Sequence, residues 1–358
     1  MKPIKLFFLG LLFSAILTSC ASYLGPKQIQ RAHRPFNESV ATALNEQLLL
    51  NLVRLKYRDN PYFIEVSGIT SQTSLTGELA ATSGTPFFNS RLLSPTGTLG
   101  YTNTPTVSYA PLQGEAFLSR LLAPIPMDAV AKLTQSGWSV SRVVRICVER
   151  ANGLRNAVSA SGPTPARSPE YLRFKDFAEG LREFQEDKGL NLVREDERIA
   201  LFFDPTRCSE AEVCALLDIV DARPRQDLVF LGTKVERGFH PNELSIDNRS
   251  LMGILFYLSH NVEVPRRHIE RGLVTKTINP DGSEFDWNDV TGDLLQVKMS
   301  PTPVPDAFVQ ISYRGHYFYI ADNDLNSKST FLMLNQLFNL QAGDQRGSTP
   351  VLTIPVGG

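Results

Sequence analysis

The chain has 358 residues, of which 42% are hydrophobic and 20% charged, with a formal net charge of −1. That length holds one large domain or two ordinary ones, and the composition is that of a globular protein, which excludes a disordered or collagen-like chain. A near-neutral balance lacks the concentrated basic face that nucleic acid requires, so no nucleic-acid partner is expected.

At the N-terminus, Lys2 and Lys5 flank the start of an apolar run from Leu6 to Leu17, broken only by Gly10 and Ser14. This is the layout of a secretory signal peptide. The run is too short to span a bilayer, which takes about 20 residues. It closes on Leu17-Thr18-Ser19-Cys20, which resembles the lipobox of bacterial lipoproteins, where the signal is cut just before the cysteine. The resemblance covers only this N-terminal end and implies that residues 1–19 are removed. By the same resemblance Cys20 carries a diacylglycerol on sulfur and an acyl chain such as palmitate on its new amino group. Several acyl chains make an anchor that does not let go, since one chain alone binds only marginally. Ala21 and Ser22 include no aspartate, the pattern that goes with outer-membrane sorting in Gram-negative lipoproteins, so the body is expected to face the periplasm. Residues 20–36, with Pro26 and Pro35 among Lys27, Arg31 and Arg34, read as a lipidated tether.

Beyond the tether, Asn37 is placed to cap a helix carried by Val40, Leu44, Leu48, Leu52 and Leu55 and ending near Tyr57. Residues 62–70 read as a strand, and Thr, Ser, Gly and Pro dominate 71–112. Leu75, Gly77, Leu79 and Ala81 alternate with mainly polar residues, as do Leu99, Tyr101, Val107 and Tyr109, which is the two-residue period of strands. Such strands raise the idea of a hairpin given to an oligomeric membrane barrel, as in some secretion-channel lipoproteins. Against it, Glu78 and Pro105 interrupt the pattern and aromatic girdles are sparse, so a solvated sheet or long surface hairpin is favoured.

From Gly114, Phe117, Leu118, Leu121 and Leu122 share one helical face, and helices are expected over 127–133 and 139–154. The Ser- and Pro-rich stretch 159–169 reads as a linker or mobile loop. It would separate an N-terminal helical and β region, 37–158, from a C-terminal α+β domain, 170–358. In the latter, Phe174, Phe177, Leu181 and Phe184 define a helix over 170–188, followed by a strand at 199–203. Ser209 to Glu212 is a capping box opening a helix over 210–220. A strand at 228–235 and a helix over 245–260 come next. Segments 273–278 and 293–299 flank the turn Asn279-Pro280-Asp281-Gly282 and are expected to pair as a hairpin with an acidic tip. A second hairpin, 307–313 with 316–320, turns at Arg314-Gly315; Ser327 then caps a helix through Leu340, and 351–356 is a strand. The sum is α+β: helices and a Thr/Ser-rich hairpin in the N-terminal part, antiparallel hairpins covered by helices in the C-terminal part.

Cys208 and Cys214 flank the capping box, and in an exported protein a near pair is a possible disulfide. Six residues of regular helix would hold their α-carbons about 9 Å apart, beyond the usual limit of about 7 Å, so two buried thiols are the alternative. Cys147, among Val143, Val144 and Ile146, is expected in the core.

The search for chemistry returns little. A nucleophile elbow, a phosphate-binding loop, a dinucleotide fingerprint and a His-Glu-x-x-His helix are all missing from the sequence. Of five histidines, His260 and His268 alone are loosely spaced, with Arg266 and Arg267 between them. The run Asp322-Asn323-Asp324-Leu325-Asn326 begins like a calcium loop, but Ser327 and Met333 stand where glycine and a bidentate glutamate are needed. No metal, cofactor or catalytic residue is therefore expected. Trp287, Tyr313, Arg314, Tyr317 and Tyr319 are a candidate exposed binding patch, since aromatic and Arg clusters serve as binding anchors; the alternative is a helix or lobe packing over that face.

These observations lead to a non-enzymatic, outer-membrane-anchored periplasmic lipoprotein that works as a binding or scaffold component of an envelope assembly. Its expected partners are the membrane, through the lipid, and an envelope protein; an oligomer is compatible. Two alternatives differ in class: an envelope enzyme acting on cell-wall glycan or lipid with an unfamiliar site, and a subunit of an oligomeric β-hairpin pore.

Overall fold

The structure is a computed structural model that describes residues 34–83, 93–195, 198–222, 227–232, 243–342 and 352–355. The signal segment, Cys20 and most of the tether lie outside them. Two compact units divide the chain: Met1–Pro61 with Leu122–Leu340, and Tyr62–Leu121 with Gln341–Gly358. The division thus falls inside the expected N-terminal region. The expected linker 159–169 belongs to the first unit, where Ile278 and Ser168 pin it by Ile278 N–H to the Ala166 carbonyl and Ser168 N–H to the Ile278 carbonyl.

Helix α1 covers 34–56 and is already helical at Arg34, so Asn37 lies within it and does not cap it. Leu48, Leu49, Leu52, Val53 and Leu55 are buried, whereas Leu44 of the expected stripe is exposed, so the apolar spacing reports burial only in the C-terminal half of the helix.

The second unit is built on two long strands, β1 (Ile64–Ser83) and β2 (Leu93–Pro111), of 20 and 19 residues. They pair antiparallel from Ile64↔Pro111 to Ser83↔Leu93, with a bulge between Val66 and Gly68. Helix α2 (Glu115–Leu122) follows. At the base, Leu112 N–H donates to the Phe63 carbonyl at 3.0 Å, and the Phe63 and Phe117 rings meet edge to face at 6.1 Å.

In the first unit the chain resumes with α3 (Met127–Gln135) and α4 (Val140–Cys147). The helix expected to reach 154 stops at Cys147, because the chain turns into β3 (Val148–Ala151) and β4 (Leu154–Arg155). What stops it is Arg249, whose guanidinium takes the carbonyls of Arg145, Ile146 and Val148 at 3.1, 3.3 and 2.8 Å. Carbonyls in a last helical turn have no partner within the helix, and a buried cation supplies one here.

Helix α5 (Leu172–Asp187) lays Phe174, Phe177, Leu181 and Phe184 into the core. Strands β5 (Leu190–Glu195) and β6 (Arg198–Phe203), helix α6 (Glu210–Asp218), and strands β7 (Leu228–Gly232) and β8 (Glu243–Asn248) complete a six-stranded sheet of order β4-β3-β8-β7-β6-β5. Only β7 and β8 run parallel within it. The capping box opens α6 as expected, with Ser209 and Glu212 each accepting from the other's backbone N–H. Residues 245–248, expected as helix, are strand: Leu244 and Ile246 alternate into the core and pair against β7 and β3. The helix proper is α7 (Leu251–Ser259), whose cap is the Ser250 hydroxyl accepting from Gly253 N–H.

The hairpin expected from 273–299 does not form. After α8 (Arg266–Glu270), Ile278 makes single bridges to Arg167 and Glu284, and the acidic stretch turns into the short helix α9 (Asn288–Thr291). Strand β9 (Lys298–Ser300) then pairs elsewhere, joining β10 (Ala307–Tyr313) and β11 (His316–Ala321) in the order β10-β11-β9. The turn at Arg314 and Gly315 has φ of 47° and 76°, the double left-handed geometry of a tight hairpin. Helix α10 (Leu325–Ala342) starts two residues before Ser327. Its cap is Asp324, whose carboxylate accepts from Ser327 N–H at 3.0 Å and from its hydroxyl at 2.6 Å. Last, β12 (Leu352–Pro355) adds to β2 in the second unit, from Leu352↔Tyr109 to Pro355↔Thr106. Long helices beside mostly antiparallel sheets make the fold α+β.

Candidate functional site

Three places in the described residues gather chemistry. The first is a cleft of about 190 Å³ in the first unit, lined by Lys56, Glu263, Lys276, Glu284 and Trp287 among others. Lys56 comes from the end of α1, and its ammonium donates to the His260 carbonyl at 2.6 Å. Burial pushes its pKa down to about 8, against the pull of Glu284. His260 is buried too and held to about 3 by desolvation, with the charge of Lys56 acting in the same direction. It is therefore a neutral imidazole near pH 7: Nε2–H donates to the Ala160 carbonyl at 2.8 Å, and Nδ1 accepts from the Thr164 hydroxyl at 3.3 Å. The Trp287 ring lies 4.4 Å from His260, and its N–H donates to the Thr277 hydroxyl at 3.2 Å. Glu263 accepts from Met299 N–H, and Lys276 pairs with Glu284 at 2.6 Å. Each ionisable group is thus engaged in holding backbone or a neighbour, in a space below the roughly 300–1,000 Å³ of ligand pockets.

Beside α8 and the β10–β11 turn lies the second group. Tyr57 donates to His268 Nδ1 at 2.8 Å; burial raises the Tyr57 pKa to about 12, so it stays protonated. Arg314 caps the Tyr57 ring at 4.8 Å and pairs with Asp59 at 2.8 Å. Tyr313 also donates to Asp59. Burial alone would raise the Asp59 carboxyl, but the hydrogen bonds from Tyr313 and Arg314 hold it below the usual carboxylate range. Arg267 donates to His316 Nε2 at 3.2 Å. This group ties α1 to the hairpin and leaves the Arg314 side chain at the surface.

The expected aromatic patch is accordingly divided. Trp287 is buried, 7% exposed, between His260 and Phe285, with its N–H on Thr277, so it does not join an exposed set. Tyr313 and Arg314 are engaged with Asp59. Tyr317 and Tyr319 are half-buried and alternate with the fully buried Phe318 and Ile320, so they share the face of β11 away from that core. Of the two readings of the cysteine pair, the thiols hold and the possible disulfide is not formed: Cys208 and Cys214 are free, and the Cys208 thiol donates to the Asp204 carbonyl at 3.1 Å from just ahead of α6. Cys147 is fully buried, and desolvation raises its thiol to about 12. No group of three or more His, Cys, Asp or Glu converges on a metal position among the described residues. Asp322 pairs with Lys328, and Asp281 accepts from Ser283, the local turn bonding typical of such residues. Sequence reasoning missed Lys56 and Arg249, and it weighed His260 only as a metal ligand beside His268. Their one visible signal is a lone polar residue set within or beside an apolar helical stripe.

The third place is the ribbon of β1 and β2. Its register sets Leu75 opposite Tyr101, Gly77 opposite Leu99, Leu79 opposite Gly97 and Ala81 opposite Pro95. With the two-residue period of strands, these positions share one face. The other face carries Gln72, Ser74 and Glu78 opposite Thr104, Thr102 and Thr98. Glu78 therefore falls on the polar face and does not break the apolar one. The outer edge of β1 has no strand partner among the described residues, and β12 covers β2 only over Thr106–Tyr109.

Among known proteins, no family model, no curated protein and no solved structure matches the chain.

Proposed function

We propose that the chain is an outer-membrane lipoprotein, anchored through acylated Cys20, whose periplasmic body is a non-enzymatic component of an envelope assembly. The observation that carries this reading is the ribbon. Strands in globular proteins run to about 5–6 residues; these have 20 and 19. A long ribbon with open edges is a template for strand pairing, and proteins that do not use such edges cover or blunt them. The cleft beside Lys56 weighs the same way, since Lys56, Glu263, Lys276 and Glu284 are each engaged with backbone or a neighbour.

The test is reversible crosslinking of intact cells, followed by purification of the full-length protein. Recovery of a reproducible envelope protein, or of crosslinked copies of the chain itself, is expected. Recovery of neither contradicts the assembly reading. Cys20→Ser is expected to abolish lipid labelling and leave the body folded; unchanged labelling would sink the anchor.

A further inference from the structure

We infer that the ribbon pairs with the same ribbon in further copies of this chain, edge to edge, closing into a β-barrel that crosses the membrane around a water-filled lumen. The inference rests on the assembly reading and names its partner as the chain itself.

Length is the first support. From Leu75↔Tyr101 to Ser83↔Leu93 the register is unbroken, so each strand gives nine residues to this band. A membrane-crossing strand takes about 9–11 residues when tilted. Sidedness is the second. In this band one face carries Leu75, Leu79, Leu93, Leu99 and Tyr101 beside small residues and Ser83, whereas the opposite face carries four threonines, Ser94 and Glu78 beside Ala80 and Gly100. Alternation of apolar and polar residues along each strand is the pattern of a barrel wall with lipid on one side and water on the other. Pro105, opposite Ser71, lies outside the band, and Pro95 sits near its distal end, so most of β2's ladder donors within the band are retained.

The edges of the band, which have no strand partner among the described residues, supply the third support and point to the partner. A lone two-stranded hairpin is marginal in water, and a bilayer leaves no unpaired edge unpunished because no water is there to satisfy it. Pairing the β1 edge of one copy with the β2 edge of the next is a head-to-tail contact, which generates a ring when its rotation closes. Each copy then contributes two strands and one Glu78 to the polar face. A ring of carboxylates favours cations.

The experiment uses full-length lipidated protein, extracted in mild detergent and added to planar bilayers of phosphatidylethanolamine and phosphatidylglycerol under a KCl gradient. Stepwise conductance with a cation-selective reversal potential is expected. Glu78→Lys, on the lumen face, keeps the conductance steps and shifts the reversal potential toward anions. Leu79→Asp, on the apolar face, lowers the frequency of insertion at least tenfold. A silent wild type, an unmoved reversal potential in Glu78→Lys, or undiminished insertion by Leu79→Asp would overturn the barrel. If crosslinked envelopes yield a partner while bilayers stay silent, the barrel falls and the assembly reading stands; if both fail, both fall.

Discussion

Arg249 and His260 carry the strongest commitments made by single residues. The Arg249 guanidinium is fully buried, bonds four backbone carbonyls and the Ser161 hydroxyl, and lies 4.1 Å from the Tyr257 ring. Arg249→Leu strands the last carbonyls of α4 without donors, and hydrogen bonds to charged groups contribute about 1.5–3 kcal/mol each. A loss of about 3 kcal/mol or more is expected in urea unfolding, and Arg249→Lys recovers only part of it, because an ammonium cannot reproduce the planar fork. A Leu variant within 1 kcal/mol of wild type, about the net value of a single ordinary hydrogen bond, would refute this role. For His260, the folded pKa of about 3 lies below the ordinary 6.5. The unfolded chain therefore binds the extra proton first, and the stability tied to neutral His260 is complete above pH 6.5 and drains away as pH falls toward 3. His260→Gln, which cannot titrate, is expected to lose less stability than wild type between pH 7 and 4.5, by about 2 kcal/mol. Parallel pH profiles would contradict it. Neither residue's role was legible in the sequence: an arginine ahead of a helix looks like an exposed one until carbonyls from 93 to 104 positions away surround it. Trp287 was misread for a related reason, since its acidic neighbours are exposed while its own ring packs on His260.

Elements were legible where the signal is local. The Ser209 and Glu212 capping box, the phenylalanine stripe of α5 and the β10–β11 hairpin each depend on residues within one turn or one register pair, and the structure forms all three. The apolar alternation in 64–111 also pointed to strands and a long hairpin, but not to its register. Register requires both strands at once, and it is register that moves Glu78 from an interruption to a consistent polar face. Misreadings share one cause, which is that distant partners decide the outcome. Residues 148–151 continue the helical pattern of α4 yet pair with β8, and 245–248 merge into the apolar run of α7 yet pair with β3 and β7. At 273–299 the turn was read correctly, Gly282 N–H donating to Asn279 at 3.0 Å. The flanking segments found other partners.

At the scale of the whole molecule, composition placed the chain among globular proteins, the pattern of expected elements made it α+β, and the N-terminal motif read as an address. The division into units was not legible, because the Pro- and Ser-rich segment 159–169 looks like a linker and is instead pinned through Ile278. The central claim is that the molecule works through its ribbon, by assembly. Light scattering on the full-length lipidated protein in mild detergent tests it most directly, with Leu79→Asp alongside. The account predicts a particle of several chains for wild type and a single chain for Leu79→Asp, with the variant's far-ultraviolet circular dichroism unchanged over the body's helices. Single chains for both, or the same multi-chain particle for both, would contradict it.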